Sequence, residues 1–167
     1  MKAFKINETG NFMTKLLSGR TFDTFLLEEA SLSMQVTWLL DGKINRSFYS
    51  EEEWADEEDH PYPLIAWGDV RGHMRELIRG KKAPASLSIV LQLRPDLCDQ
   101  LLSGAGYSRL KDSIGAMVLN IRYDGTEVTL VTGIALKSFT LDKNADRIWD
   151  EAMAGFLASR EIGFETL

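Results

Sequence analysis

Residues 116–133 constrain the fold more than any other stretch of this 167-residue chain. Two runs rich in β-forming residues flank Asp124-Gly125. That dipeptide suits a two-residue type I′ hairpin turn, which needs positive φ at both central positions. With this turn, Tyr123 faces Thr126, Ile121 faces Val128 and Leu119 faces Leu130, so one face is largely apolar. Arg122 then faces Glu127, an opposite-charge pair across the strands, and Val118 faces Val131. A further strand is predicted over Ala135–Leu141.

A second meander lies upstream. Thr24–Ala30 and Ser33–Leu40 read as strands, the latter alternating Met34, Val36, Trp38 and Leu40. Asp41-Gly42 marks a turn into a strand over Ile44–Tyr49, with a three-residue loop that pairs Leu40 with Ile44 and Val36 with Phe48.

Four helices follow from apolar spacing and punctuation. The first covers about Glu8–Ser18, with Phe12, Met13, Leu16 and Leu17 inward and Gly19 as its stop. The second covers about Asp69–Arg79 and is closed by Gly80. The third begins at Pro95, a residue favoured at the first helical position, and ends before Gly104. The fourth starts near Asp142 and sets Ala145, Ile148, Trp149, Ala152, Met153 and Phe156 on one stripe. Ser50 and Glu53 have the spacing of a capping box, and the chain beyond Ser159 is expected to be loosely held.

In this order the elements repeat. Strand Ala3–Ile6, a helix ending Leu-Leu-Ser-Gly and three strands form one half; strand Ser88–Gln92, a helix with the same ending and three strands form the other. The fold class is therefore α+β: antiparallel sheets from two β-α-β-β-β halves, plus an inserted helix and a C-terminal helix. A single domain over residues 1–167 is expected, with halves at about 1–50 and 85–141. Residues 51–82 lie between them and the C-terminal helix covers 142–159.

Three runs carry a resemblance over nearly the whole chain: KAFKINETGNFMTKLLSGRTFDTFLLEEA, IRGKKAPASLSIVLQL and VLNIRYDGTEVTLVTGIALKSFTLDKNADRIWDEAM. They are similar to a family of uncharacterised bacterial proteins of unknown function, which implies no activity. The doubled element order also resembles, in topology alone, a single domain of the DNA sliding clamps. Clamp helices turn basic residues toward DNA, whereas the first helix here offers Glu8 and Lys15, and the third Asp96, Asp99 and Gln100. Neither makes a counterion-releasing surface, so no clamp residue carries over.

Composition excludes several classes. No apolar run approaches the ~20 residues that span a bilayer, and no signal peptide is evident, so the expected compartment is the cytoplasm, with no membrane partner. One cysteine, Cys98, rules out an internal disulfide framework and reads as a buried, inert thiol. The net charge of −6 is local: residues 51–60 hold seven acids and no Lys or Arg, and without them 18 acids stand against 19 bases. That near-neutral remainder disfavours broad binding to nucleic acid. Phosphate-loop, dinucleotide and Gly-x-Ser-x-Gly signatures are missing, so no cofactor is expected.

Two segments remain as candidates for chemistry. Arg71, Arg75 and Arg79, at i, i+4 and i+8, stack along one helix face, and Lys81 and Lys82 follow at its C-terminal end. They form either a site for phosphate or an acidic partner, or a solvated face neutralised by neighbouring acids. The acidic segment with His60 offers weak metal ligands, Glu57, Asp59 and His60, yet it lacks the calcium-loop pattern and His-Glu-x-x-His. Trp54 and His60-Pro61-Tyr62-Pro63 point to a loop docked at its ends, and His73, on the basic helix next to Met74, reads as a boundary residue between core and surface in preference to a general base. The leading functional expectation is a non-enzymatic binding or assembly module with a protein partner or a second copy. A clamp-like nucleic-acid factor and a metal-assisted hydrolase using residues 51–60 with His60 or His73 are the alternatives.

Overall fold

The computed structural model describes every residue except Glu57 and Asp59. It is α+β, built on one seven-stranded antiparallel sheet. The strands are β1 (Ala3–Ile6), β2 (Phe25–Ser33), β3 (Thr37–Asp41), β4 (Ser86–Leu93), β5 (Ile114–Tyr123), β6 (Val128–Leu136) and β7 (Phe164–Thr166). Among the described residues five α-helices accompany them: α1 (Thr9–Leu17), α2 (Glu51–Ala55), α3 (Trp67–Ile78), α4 (Pro95–Gly104) and α5 (Asn144–Ser159). The spatial order β3-β2-β4-β5-β6-β1-β7 makes β3 and β7 the two edges.

Alternation along the strands decides the layers. Ala30, Ile89, Ile121, Leu130 and Phe4 form one row across five strands, and Leu32, Leu87, Tyr123 and Val128 the next. These residues share one buried cluster with Phe12 and Leu16 of α1, Trp67 and Met74 of α3, Leu102 of α4, and Trp149, Met153 and Leu157 of α5. The opposite sheet face, with Ser31, Ser88, Val90, Asn120 and Arg122, is half-buried or exposed. Such one-sided coverage is what period-2 alternation encodes. Phe22 and Phe25 meet Phe156 and Trp149 at centroid distances of 5.5 to 6.3 Å, locking the β2 entry to the last helix.

Helix positions agree with the sequence within two residues, and the capping box closes as expected: Glu53 N–H donates to Ser50 Oγ at 3.1 Å and Ser50 N–H to Glu53 Oε1 at 2.9 Å. Strand pairing departs from expectation in several places. In the β5–β6 hairpin Tyr123 faces Val128, Ile121 faces Leu130 and Arg122 faces Thr129, a register two residues from the expected one. The turn is centred on Gly125-Thr126, with Gly125 at φ +98°. Asp124 Oδ1 accepts the N–H groups of Thr126 and Glu127 at 2.9 and 2.8 Å, capping the loop one residue further on. An even slip keeps every side chain on its face, so hydrophobic alternation alone does not distinguish the two registers.

The strand expected over Ile44–Tyr49 is absent, and Arg46–Phe48 form a 3₁₀ turn instead. Asp41-Gly42 is no hairpin turn: Gly42 N–H donates to Glu28 O, and Ile65 N–H donates back to Gly42 O. Residues 63–66 thus wedge between β2 and the chain after β3, where β2 is bulged at Glu28. A Cβ on Gly42 would lie 1.7 Å from Leu27 O, so only glycine permits this crossing. The hairpin upstream turns at Met34–Val36 and not between Ala30 and Ser33 as expected, pairing Leu32 with Trp38 and Ala30 with Leu40.

The strand expected over Ala135–Leu141 is the end of β6, which stops at Leu136. Each half therefore contributes β-α-β-β to the sheet. The halves also take different neighbours, β1 lying between β6 and β7 while β4 lies between β2 and β5. The expected loose C-terminus is likewise corrected: β7 pairs with β1, Ile162 is buried, and Leu167 N–H reaches Ala3 O at 2.9 Å. Among the described residues, no helix is long and apolar enough to cross a membrane.

Candidate functional site

The basic helix is divided among local acids. Arg71 Nε donates to Asp23 Oδ1 at 2.9 Å, pinning the start of α3 to the loop before β2. Arg79 and Arg75 flank Glu76, at 3.5 and 3.9 Å. Lys81 and Lys82 are exposed in the link to β4. The face is thus interrupted by a carboxylate, and its most buried guanidinium holds a structural contact.

Of the weak metal set, Glu57 and Asp59 lie outside the described residues. His60 stacks on Trp54, with ring centroids 4.2 Å apart and 20° between planes, and Tyr49 stands 5.5 Å from it. His60 Nε2 is 2.8 Å from the Trp54 carbonyl; a carbonyl only accepts, so Nε2 carries the proton. The Arg46 guanidinium lies over the Trp54 ring, 4.9 Å from its centroid. Tyr62 donates to Asp96 Oδ1 at 2.8 Å, fastening the far end of this excursion to α4. The Tyr62 hydroxyl, helped by Arg94, holds the Asp96 carboxyl below the usual carboxylate range. Tyr62 thus fastens one end of the loop to α4, while Trp54 and His60 pack on each other and on Tyr49 within the excursion. Among the described residues no group of three His, Cys, Asp or Glu is placed to hold a metal.

Cys98 is buried, its Sγ near the Leu93 carbonyl, and burial pushes the thiol pKa up, away from nucleophilic use. His73 is exposed on α3. Between α4 and α5 a 360 Å³ groove is lined by Phe25, Leu97, Leu101, Trp149, Met153 and Phe156, with Arg160 at its rim.

One feature without a structural employment among the described residues is the β3 edge. Leu39 is 79% exposed and Trp38 44%, on a strand whose outer side has no neighbour in the sheet, and Val36 in the turn before it is 53% exposed. Its central residues, Trp38-Leu39-Leu40, include no charge and no proline, the devices that usually blunt an edge. The backbone is oriented for pairing. Met34 N–H to Val36 O and Gly42 N–H to Glu28 O both lie on the β2–β3 register. Even-numbered residues of β3 therefore hydrogen-bond to β2, and Thr37, Leu39 and Asp41 turn their N–H and C=O groups outward. Beside this edge, on the open face of the sheet, a 540 Å³ depression is lined by Glu29, Ser31, Leu39, Asp41, Lys43 and Ser88.

Sequence reasoning missed this edge because it placed a strand over Ile44–Tyr49 beside it. The available warning was Asn45-Arg46-Ser47, three polar residues in succession where a sheet strand favours β-branched and aromatic ones.

No curated protein and no solved structure matches the chain. The model of a family of unknown function, DUF5721, matches residues 15–165, and the chain belongs to that family.

Proposed function

We propose that this protein is a non-enzymatic binding module that takes up an extended protein strand along β3. The observation that carries this reading is the uncharged Trp38-Leu39-Leu40 edge, with Trp38 and Leu39 exposed and the main-chain groups of Thr37, Leu39 and Asp41 directed outward. Strand addition draws affinity from main-chain hydrogen bonds and specificity from alternate side chains. Here the incoming residues would meet Trp38 and Leu40 on the helix-covered side, and Leu39 with the adjoining depression on the other.

A labelled synthetic peptide reproducing Gln35–Lys43 serves as the probe strand. Titrated with the full-length protein, it is expected to give saturable fluorescence polarisation that Leu39→Pro abolishes, because proline removes an outward N–H. No saturation at the highest soluble protein concentration, or equal binding by Leu39→Pro with an unchanged circular dichroism spectrum, would overturn the reading.

A further inference from the structure

We infer that the strand β3 takes up is β3 of a second copy, joined antiparallel about a two-fold axis at Leu39; this rests on the strand-addition reading above. A symmetric pair needs a self-complementary edge, since each residue meets its mirror position. Centred on Leu39, the pairing sets Leu39 against its own counterpart, Trp38 against Leu40 and Thr37 against Asp41. Every residue of Thr37–Asp41 then has a partner.

Three properties of the edge select this arrangement. The outward main-chain groups belong to Thr37, Leu39 and Asp41, so the Leu39 pair and the two Thr37–Asp41 pairs are the hydrogen-bonded ones. Directly opposed residues share a sheet face, so the exposed Trp38 is covered by the partner's Leu40 on the helix side, while the two Leu39 side chains cover each other on the open side. Charge sets the direction. Antiparallel pairing brings the Asp41 carboxylate to the Thr37 hydroxyl and Lys43 to Gln35, an acceptor to a donor and a cation to a neutral amide. A parallel, in-register pair would oppose Asp41 to Asp41 and Lys43 to Lys43. The acidic corner formed by Glu29 and Asp41 is likewise carried to the Ser33–Thr37 end of the other copy, where no acid stands.

The test combines light scattering over a wide concentration range with cysteine cross-linking of the full-length protein. A dimer is expected, and Leu39→Lys, which faces two ammonium groups across the axis, should weaken it by about 100-fold or more. Under mild oxidation Leu39→Cys should form a dimeric disulfide, because hydrogen-bonded antiparallel pairs hold Cα atoms about 5.5 Å apart, within disulfide reach. Thr37→Cys should not, since its counterpart stands roughly 13 Å along the strand, at ~3.3 Å per residue. Cys98 is buried and leaves the assay clean. A strict monomer that still binds the Gln35–Lys43 peptide would overturn the homotypic pairing and leave strand addition standing. A dimer indifferent to Leu39→Lys, or one that cross-links equally at both positions, would overturn the inference as well. Loss of peptide binding and of any Leu39 effect together would remove both.

Discussion

The two edges of the sheet are protected to different degrees. β7 is three residues long, carries Glu165 at its centre, and is fixed by Phe164 set edge-on to Phe4 at 5.2 Å. It offers a partner too short a ladder and a charge in the middle of it. β3 is five residues long, apolar at its centre and exposed, with neither charge nor proline between Thr37 and Leu40. Edge strands are sites of unwanted association that proteins ordinarily blunt, and one edge of this sheet is blunted while the other is left open. The difference teaches that an open edge is informative when the same molecule shows how it closes the other.

Four expected outcomes bear on this contrast. The largest concerns the base of β3. Gly42→Ala forces a Cβ into the Leu27 carbonyl and should cost about 3 kcal/mol, read as a lower midpoint in urea denaturation. Next, truncating each edge should give unequal results. Phe164→Ala is expected to cost about 2 kcal/mol, since it removes a half-buried ring packed on the core, while Leu39→Ala in dilute protein should change stability by only ~0.5 kcal/mol. Equal losses would show that the two edges are alike in the isolated chain. Third, Glu165→Val removes the charge from β7 without lengthening it. Light scattering should show no new association, and a new oligomer would mean that charge rather than length protects this side.

The smallest effect is the pH dependence of the β5–β6 turn. The N–H groups of Glu127 and Thr126 hold the Asp124 carboxyl below its ordinary range in the folded protein. The unfolded chain therefore binds this proton more readily, and stability from the turn is present above the unfolded pKa of about 4. It is lost as pH falls through the lower folded value. Asp124→Ala should lower the neutral plateau of a melting-temperature profile and flatten its acid limb, so that the two proteins converge at low pH.

Much of the element inventory was legible in the sequence, and the reasons are local. Pro95 starts α4, Ser50 and Glu53 close a capping box, and the Ile148, Trp149, Met153 stripe of α5 is buried as its spacing requires. Registers and neighbours were less legible. The turn after Tyr123 lies one residue beyond the expected dipeptide because the Asp124 side chain caps it, and the resulting even slip leaves the apolar pattern unchanged. Glu127, expected opposite Arg122, pairs instead with Lys5 at 2.7 Å, a contact that exists only because β1 lies beside β6. The candidate edge was hidden for the same reason. Val36 and Trp38 were read as one side of a meander, and only the wedge at residues 63–66 leaves β3 as the last strand.

The sequence by itself determined the four longer helices, most of β1, β2, β4, β5 and β6, the apolar face of the β5–β6 hairpin, and where the isolated acidic segment lies. Only the tertiary structure decided that the sheet runs β3-β2-β4-β5-β6-β1-β7, that β3 ends it, and that Arg71 is spent on Asp23. The physical reason is that periodicity specifies the face a side chain takes, whereas strand neighbours are chosen by long-range packing of the core and by crossings such as Gly42 over Leu27.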